Sequence, residues 1–148
     1  MATAIRHKRG TSDPAAGDFT STAELLVNTT DGGLFTKTDG GAVVEIATAD
    51  IPQNSKTAAY TLVIGDNGKH INITTGGVTV PSGVFSAGNV VSIYNDSASN
   101  QTITQAASVT LRLAGGATTG NRTLAQYGLA TVLCVGSNEF VISGAGLT

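Results

Sequence analysis

The sequence predicts an all-β protein, on three observations. Short runs rich in Val, Ile, Thr and Tyr recur roughly every 8 to 12 residues, each bounded by Gly, Asn, Asp or Pro. No stretch of about 11 residues or more carries apolar residues at helical spacing. The apolar 41% of the 148 residues consists mostly of small side chains, since Trp is absent, aromatics make up 5%, and Gly occurs 19 times.

The first expected strand covers Ala4–Lys8. The next three, Glu24–Asn28, Leu34–Lys37 and Val43–Ile46, are separated by the tripeptides Asp31-Gly32-Gly33 and Asp39-Gly40-Gly41. Asp bonds its own backbone and Gly accepts positive φ, so each tripeptide is a turn. Strand, turn, strand, turn, strand is a tight meander with little apolar bulk. About 50 residues without metal or disulfide bury too little to fold well alone. Association in a closed symmetric oligomer is the standard remedy. Leu34, Phe35, Val43 and Val44 are the residues expected to pack between chains.

The segment "TADIPQNSKTAA", with Pro52 among polar neighbours, reads as a hinge. It divides the chain into an N-terminal meander module (1–50), a linker (51–58) and a C-terminal domain (59–148). In that domain strands are expected at Tyr60–Ile64, Lys69–Thr74, Val78–Pro81, Asn89–Asn95, Gln101–Gln105, Val109–Leu113, Leu129–Val135 and Phe140–Ser143. Asp66-Asn67-Gly68, the polar run Asp96–Asn100 and Gly136-Ser137-Asn138 each read as the turn of a hairpin. "TLAQYG", Thr123–Gly128, reads as a short helical turn. Several hairpins around a Val/Ile/Leu core make an antiparallel β-sandwich of jelly-roll type.

Charge is scarce and unevenly placed. Charged residues make up 12% of the chain, against about 25% in ordinary globular proteins. Seven of the ten acids lie in residues 1–50, and Arg6, Lys8 and Arg9 cluster in the first ten residues. The second half is nearly uncharged and rich in Thr, Ser and Asn. The basic cluster has no aromatic interleaving and no second cluster, so nucleic acid is not an expected partner. Its expected role is docking, where charge complementarity fixes register. The longest apolar runs are too short to span a bilayer, and no secretory signal precedes the first strand. Insertion into a membrane is not expected, and synthesis in a cytoplasm without a signal peptide is.

No catalytic chemistry is expected. His7 and His70 have no second His or Cys at ligand spacing, and the single Cys134 in "ATVLCVG" has no partner, so neither a metal centre nor a disulfide is expected. A Ser, His and Asp set from His70, Asp66 and a serine lacks a Gly-x-Ser-x-Gly elbow. "GGATTGN" lacks the Lys and helix of a phosphate loop. No cofactor is expected.

Two stretches carry a family resemblance. "IRHKRGTSDPAAGDFTSTAELLVNTTDGGLFTKTDGGAVVEI" resembles the N-terminal module of many tailed-phage fibre and tropism-determinant proteins. There a basic strand and a Pro-containing turn lead to a "GEL-x-x-N-x-x-D-G-x-L-F-x-K" segment. The match runs through Arg9, Pro14, Glu24, Leu25, Asn28, Asp31, Gly32, Leu34, Phe35, Lys37 and Gly41. Ala23 stands where the family usually has Gly, and Gly33 is an addition before Leu34. The second half is similar to a module at the ends of phage fibre proteins, through Tyr60, Leu62, Asp66, Gly68, Lys69, Val80, Pro81, Phe85, Gly88, Val90, Ile93, Leu111, Arg112 and Phe140 to Gly144. Phe140 stands where relatives often have Trp.

The resemblance implies a homotrimeric phage virion protein on the tail or capsid surface. A short tail fibre for host attachment is the leading expectation. A capsid decoration or cement protein is the alternative, and a carbohydrate-binding module the distant one. The partners implied are further copies of the chain, a tail or major capsid protein, and a host-surface glycan or protein. Arg6, Lys8, Arg9, Leu34, Phe35, Val43 and Val44 are the expected docking and trimer-interface residues. The expected exposed binding loops hold Asn95, Asp96, Ser97, Ser99 and Asn100, and Thr118, Thr119 and Asn121.

Overall fold

In the computed structural model, which describes residues 8–47 and 50–148, both halves of the chain are β-structure, as the strand spacing predicts. The chain divides into two units, 1–50 and 51–148. Arg6, and all of the first expected strand except Lys8, lie outside the described residues.

The first unit is one sheet in the order β1 (Lys8–Gly10), β2 (Leu25–Asn28), β3 (Leu34–Lys37), β4 (Val43–Ala47). β1 runs parallel to β2, while β2, β3 and β4 form the antiparallel meander. Both Asp-Gly-Gly segments are turns. In the first, the Gly33 N–H donates to Asp31 Oδ1 at 2.9 Å and Gly32 takes a φ of 82°. Buried Asn28 ties this turn to the incoming chain, donating from Nδ2 to Asp13 Oδ1 at 2.9 Å and Asp31 Oδ2 at 3.0 Å. Gly33 is needed for space, because a Cβ there would stand 2.7 Å from Cε2 of Phe35. One face of the sheet buries Phe19, Leu26 and Phe35, with Val43 packed against them.

Where an antiparallel sandwich is expected, the second unit winds instead as a short coil of parallel strands closed by an antiparallel hairpin, because successive strands join alternate stacks rather than pairing with each other. β5 (Gln53–Lys56), β7 (His70–Ile73) and β9 (Val90–Asn95) stack in parallel, one per turn of the coil. Alternating with them along the chain, β6 (Tyr60–Thr61), β8 (Val78–Val80) and β10 (Gln101–Gln105) form a second parallel stack. β12 (Arg122–Gly136) then runs antiparallel to both stacks. Its first residues pair with β10 and residues 129–133 pair with β9. The sheet is therefore a nearly closed barrel in the order β5-β7-β9-β12-β10-β8-β6. β13 (Glu139–Leu147) folds back on β12, and β11 (Thr110–Leu113) lies parallel to β13. The interior is filled by Ile71, Ile73, Val78, Val80, Ile93, Ile103, Leu111, Leu124, Val132 and Ile142, all essentially inaccessible.

Four local expectations are corrected. The segment expected as a linker carries β5, which belongs to the second sheet. "QNSK" has no apolar residue to mark a strand, and its pairing with β7 makes it one. The turn at Asp66–Gly68 does not close a hairpin, because β6 and β7 lie in different stacks. The polar run after Asn95 is likewise an arch between stacks, with β12 inserted between β9 and β10. Of the three expected hairpins, β12–β13 forms, turning at Ser137-Asn138 with Asn138 at a φ of 56°. Finally, "TLAQYG" is extended within β12, where the register shifts between Leu124 and Leu129 and Tyr127 takes a φ of 56°. That bulge carries β12 from one stack to the other.

Candidate functional site

Candidate functional features are the basic start and an open sheet face on the first unit, and an open sheet face, the polar loops and a buried polar cap on the second.

At the basic start, Lys8 Nζ forms an ion pair with Glu24 Oε1 at 3.0 Å and donates to the Asp18 carbonyl at 3.2 Å. The ammonium beside Glu24, helped by the Thr20 N–H at 2.7 Å, holds the carboxyl down at about 2. Lys8 thus fastens β1 to the segment leading into β2. Arg9 is exposed, and with Lys8, Pro14, Asp18 and Leu26 it lines an open cleft of about 620 Å³.

The first sheet carries apolar side chains on both faces. Phe35 is buried by its own chain at 7% exposure. Its expected place between chains is therefore corrected: it shares the covered face with Leu26 in register. Val43 also packs on the covered face. Leu34 and Val44 point the other way. Register places Leu34 beside Val27, and Val44 beside Thr36 and Leu25. This second face holds Leu25, Val27, Leu34 and Val44, with Thr36 between Leu25 and Val44 and exposed Arg9 beside Val27 at the β1 edge, and no residue on it belongs to the unit's buried core. Val44 and Ile46 are exposed.

The second unit has an open apolar face of its own. "LATVLCVG", Leu129–Gly136, is apolar at almost every position, the pattern of a strand covered on both sides. Ala130, Val132 and Cys134 do face the core. Tyr127, Leu129, Leu133 and Val135 face outward and are exposed, Leu129 at 50% and Leu133 at 39%. Leu133 pairs with exposed Val90 on β9 and with Val141 on β13. Leu129 pairs with Tyr94 and Ala145. Between these two rows lies a third made of hydroxyls, Ser92, Thr131 and Ser143. The sequence reading missed these residues. The signal was there in the continuous apolar run, which calls for cover on both faces when the chain supplies it on one.

The polar loops are largely used inside the fold. Asn95, expected on an exposed binding loop, is 0% exposed. Its Nδ2 donates to the carbonyls of Ser99 at 2.8 Å, Leu124 at 3.2 Å and Ala125 at 2.8 Å, and its Oδ1 accepts from Ser97 Oγ at 2.7 Å. Position 95 continues the inward-facing series of Val91 and Ile93, so its amide meets the Leu124 and Ala125 carbonyls at the start of the β12 bulge and is hydrogen-bonded where it is buried. Asn100 Oδ1 accepts from the Gln126 N–H at 3.3 Å, and Asn121 Oδ1 from the Gln105 N–H at 3.0 Å. Exposed Asp96 accepts from Asn72 Nδ2 at 3.1 Å. The Thr118 carbonyl accepts from buried Arg122 at 2.7 Å, and Thr119 bridges to Arg112. Thr118 and Thr119 are exposed.

Beside β5, at the first turn of the coil, Asp66 sits buried in a polar cap. Its Oδ1 accepts from Asn54 Nδ2 at 2.7 Å, and its Oδ2 from Tyr60 Oη and the Val63 N–H, each at 2.9 Å. Lys56 Nζ lies 4.2 Å from the centre of the Tyr60 ring. Burial, reinforced by the Asp66 carboxyl, raises the Tyr60 hydroxyl above its ordinary pKa. Among the described residues no three His, Cys, Asp or Glu side chains cluster as metal ligands.

No protein-family model matches the chain, and no curated protein shows significant similarity to it.

Proposed function

We propose that the chain is a structural protein of a tailed-phage virion, a homotrimeric surface appendage of the short tail-fibre type, mounted through its first unit and used in host attachment. The observation that carries this reading is the two-sided apolar character of the first sheet. A sheet of four short strands buries Phe19, Leu26 and Phe35 on one side and leaves Leu25, Val27, Leu34 and Val44 to be covered on the other. Further copies of the same short meander, or a docking surface on the particle, would supply that cover. The resemblance of residues 5–46 to phage fibre modules supports the same reading, as does the gathering of charges of both signs in this unit, suited to a polar protein surface.

A second reading, a capsid decoration protein, is favoured by one observation. In sequence the second unit begins at Ile51, directly after the first ends at Asp50, which leaves no stretch of chain between them for a shaft. One experiment separates the two. In a cryo-electron microscopy map of particles carrying the chain, density at the tail supports attachment and density on the capsid lattice supports decoration. Absence from purified particles overturns both. Val44→Asp, on the open face of the first sheet, is expected to reduce incorporation at least tenfold, and unchanged incorporation removes that face from the mount.

A further inference from the structure

We infer that the outer face of β9, β12 and β13 is a self-association surface, and that its occupant is the same face of further copies of this chain. The inference takes only the copy number, three, from the proposed function.

The face is built of cross-strand rows. One row is Tyr94, Leu129 and Ala145, the next is Ser92, Thr131 and Ser143, and the third is Val90, Leu133 and Val141. None of these nine positions is charged. The hydroxyl row can donate and accept at every position, and Ser92 Oγ and Thr131 Oγ1, 3.5 Å apart, already do either. A foreign partner would have to reproduce the alternation of apolar, hydroxyl and apolar rows. A second copy does so without adjustment. If the symmetry axis runs along β12, every row lies at the same height in each copy, so apolar meets apolar and hydroxyl meets hydroxyl.

Charge supports the same occupant. The nine positions carry no charge, and the charge next to them, exposed Arg112 beside Val141, stands at the β11 margin; a charged partner surface laid over the centre of the face would lose water there without a counter-charge. The composition of β12 adds an independent argument, because its continuous apolar run reads as a strand covered twice and the chain covers it once. The exposed apolar area is on the order of a few hundred Å², the upper range for a lone monomer. It falls short of the roughly 800 Å² per partner of a standard interface. Association through this face alone is therefore weak, and the open face of the first sheet adds the rest by linking the two contacts in one chain.

The test uses the full chain. Its mass is measured by light scattering across the micromolar range for the native sequence, Leu129→Asp and Leu133→Asp. Both leucines are already half open to water in the single chain, so the fold is expected to survive, as an unchanged unfolding midpoint would verify. The expected result is a shift of dissociation to concentrations at least tenfold higher in both variants. A second readout does not depend on weakening anything: in Thr131→Cys a short bismaleimide is expected to link two chains, while Cys134, on the covered face, stays unmodified. Native mass in both aspartate variants, no link through position 131 in an assembled protein, or a native chain that is monomeric throughout each overturns the inference. Failure of the virion reading is separate: the chain would be absent from particles, yet its mass would still fall with Leu133→Asp.

Discussion

Tyr60 Oη donates a 2.9 Å hydrogen bond to Oδ2 of Asp66, a carboxyl only 1% exposed. The same group accepts from Asn54 and from the Val63 backbone. Asp66 therefore ties β5, β6 and the turn after β6 together. Asp66→Ala would leave these donors without their acceptor, at a cost of about 2–3 kcal/mol. Tyr60→Phe removes one donor and leaves the others paired, costing about 1 kcal/mol. Urea unfolding followed by circular dichroism measures both, and equal small effects would argue against the cap as a stabilising unit.

The same contact gives an alkaline signature. Tyr60 in the folded chain holds its proton to higher pH than in the unfolded chain, first through burial and then through Asp66. A raised folded pKa contributes stability that is complete below the unfolded value, about 10, and is lost as pH rises through the folded one. Stability is expected to fall above pH of about 10, with Tyr60→Phe removing Tyr60's share of that fall.

Acid acts on the first unit through Glu24. Its carboxyl is depressed from 4.5 to about 2, chiefly by the Lys8 ammonium. A depressed folded pKa contributes stability that is complete above about 4.5 and lost as pH falls to about 2. Acid titration of the native chain and of Glu24→Gln should diverge in that window, most at low salt, since the pair is solvent-accessible. Superimposable curves would mean that Lys8 does not hold β1 in solution.

Phe35 is the largest commitment of the first unit. Phe35→Ala is expected to cost about 3–5 kcal/mol. Its partners Phe19 and Leu26 are in the same chain, so the loss should appear as fast amide exchange in residues 8–47 with residues 51–148 unaffected. Exchange unchanged in both units would show that the Phe19–Leu26–Phe35 cluster is not what holds the sheet.

What the sequence revealed tracks how local each feature is. The turns at Asp31-Gly32-Gly33 and Asp39-Gly40-Gly41 are written in adjacent residues, and so is the β12–β13 turn. The arch through Asp66-Asn67-Gly68 uses the same residue types as a hairpin, and only pairing partners far along the chain distinguish the two. β5 was illegible because its inward residues, Asn54 and Lys56, face the polar cap rather than a hydrocarbon core. Asn95 looked like a loop residue because nothing local announces that three carbonyls wait around it. On the candidate surfaces, Leu34 and Val44 were legible from their place in a thin meander. Leu129 and Leu133 were hidden in a run that resembled ordinary core.

β12 is the seam between the two parallel stacks, and it follows all of their strands in the sequence. During synthesis the stacks emerge first, with the β9 and β10 edges open until β12 has left the ribosome and crossed both. Closure therefore depends on contacts between residues distant in sequence, which makes for slow folding. Until then, the edges that β12 will occupy can be taken by the edges of another chain. If the chain associates with its own copies as proposed, β12 must be in place before they meet, and the rate at which it closes the two stacks then bears on the concentration at which the protein can be made without aggregating.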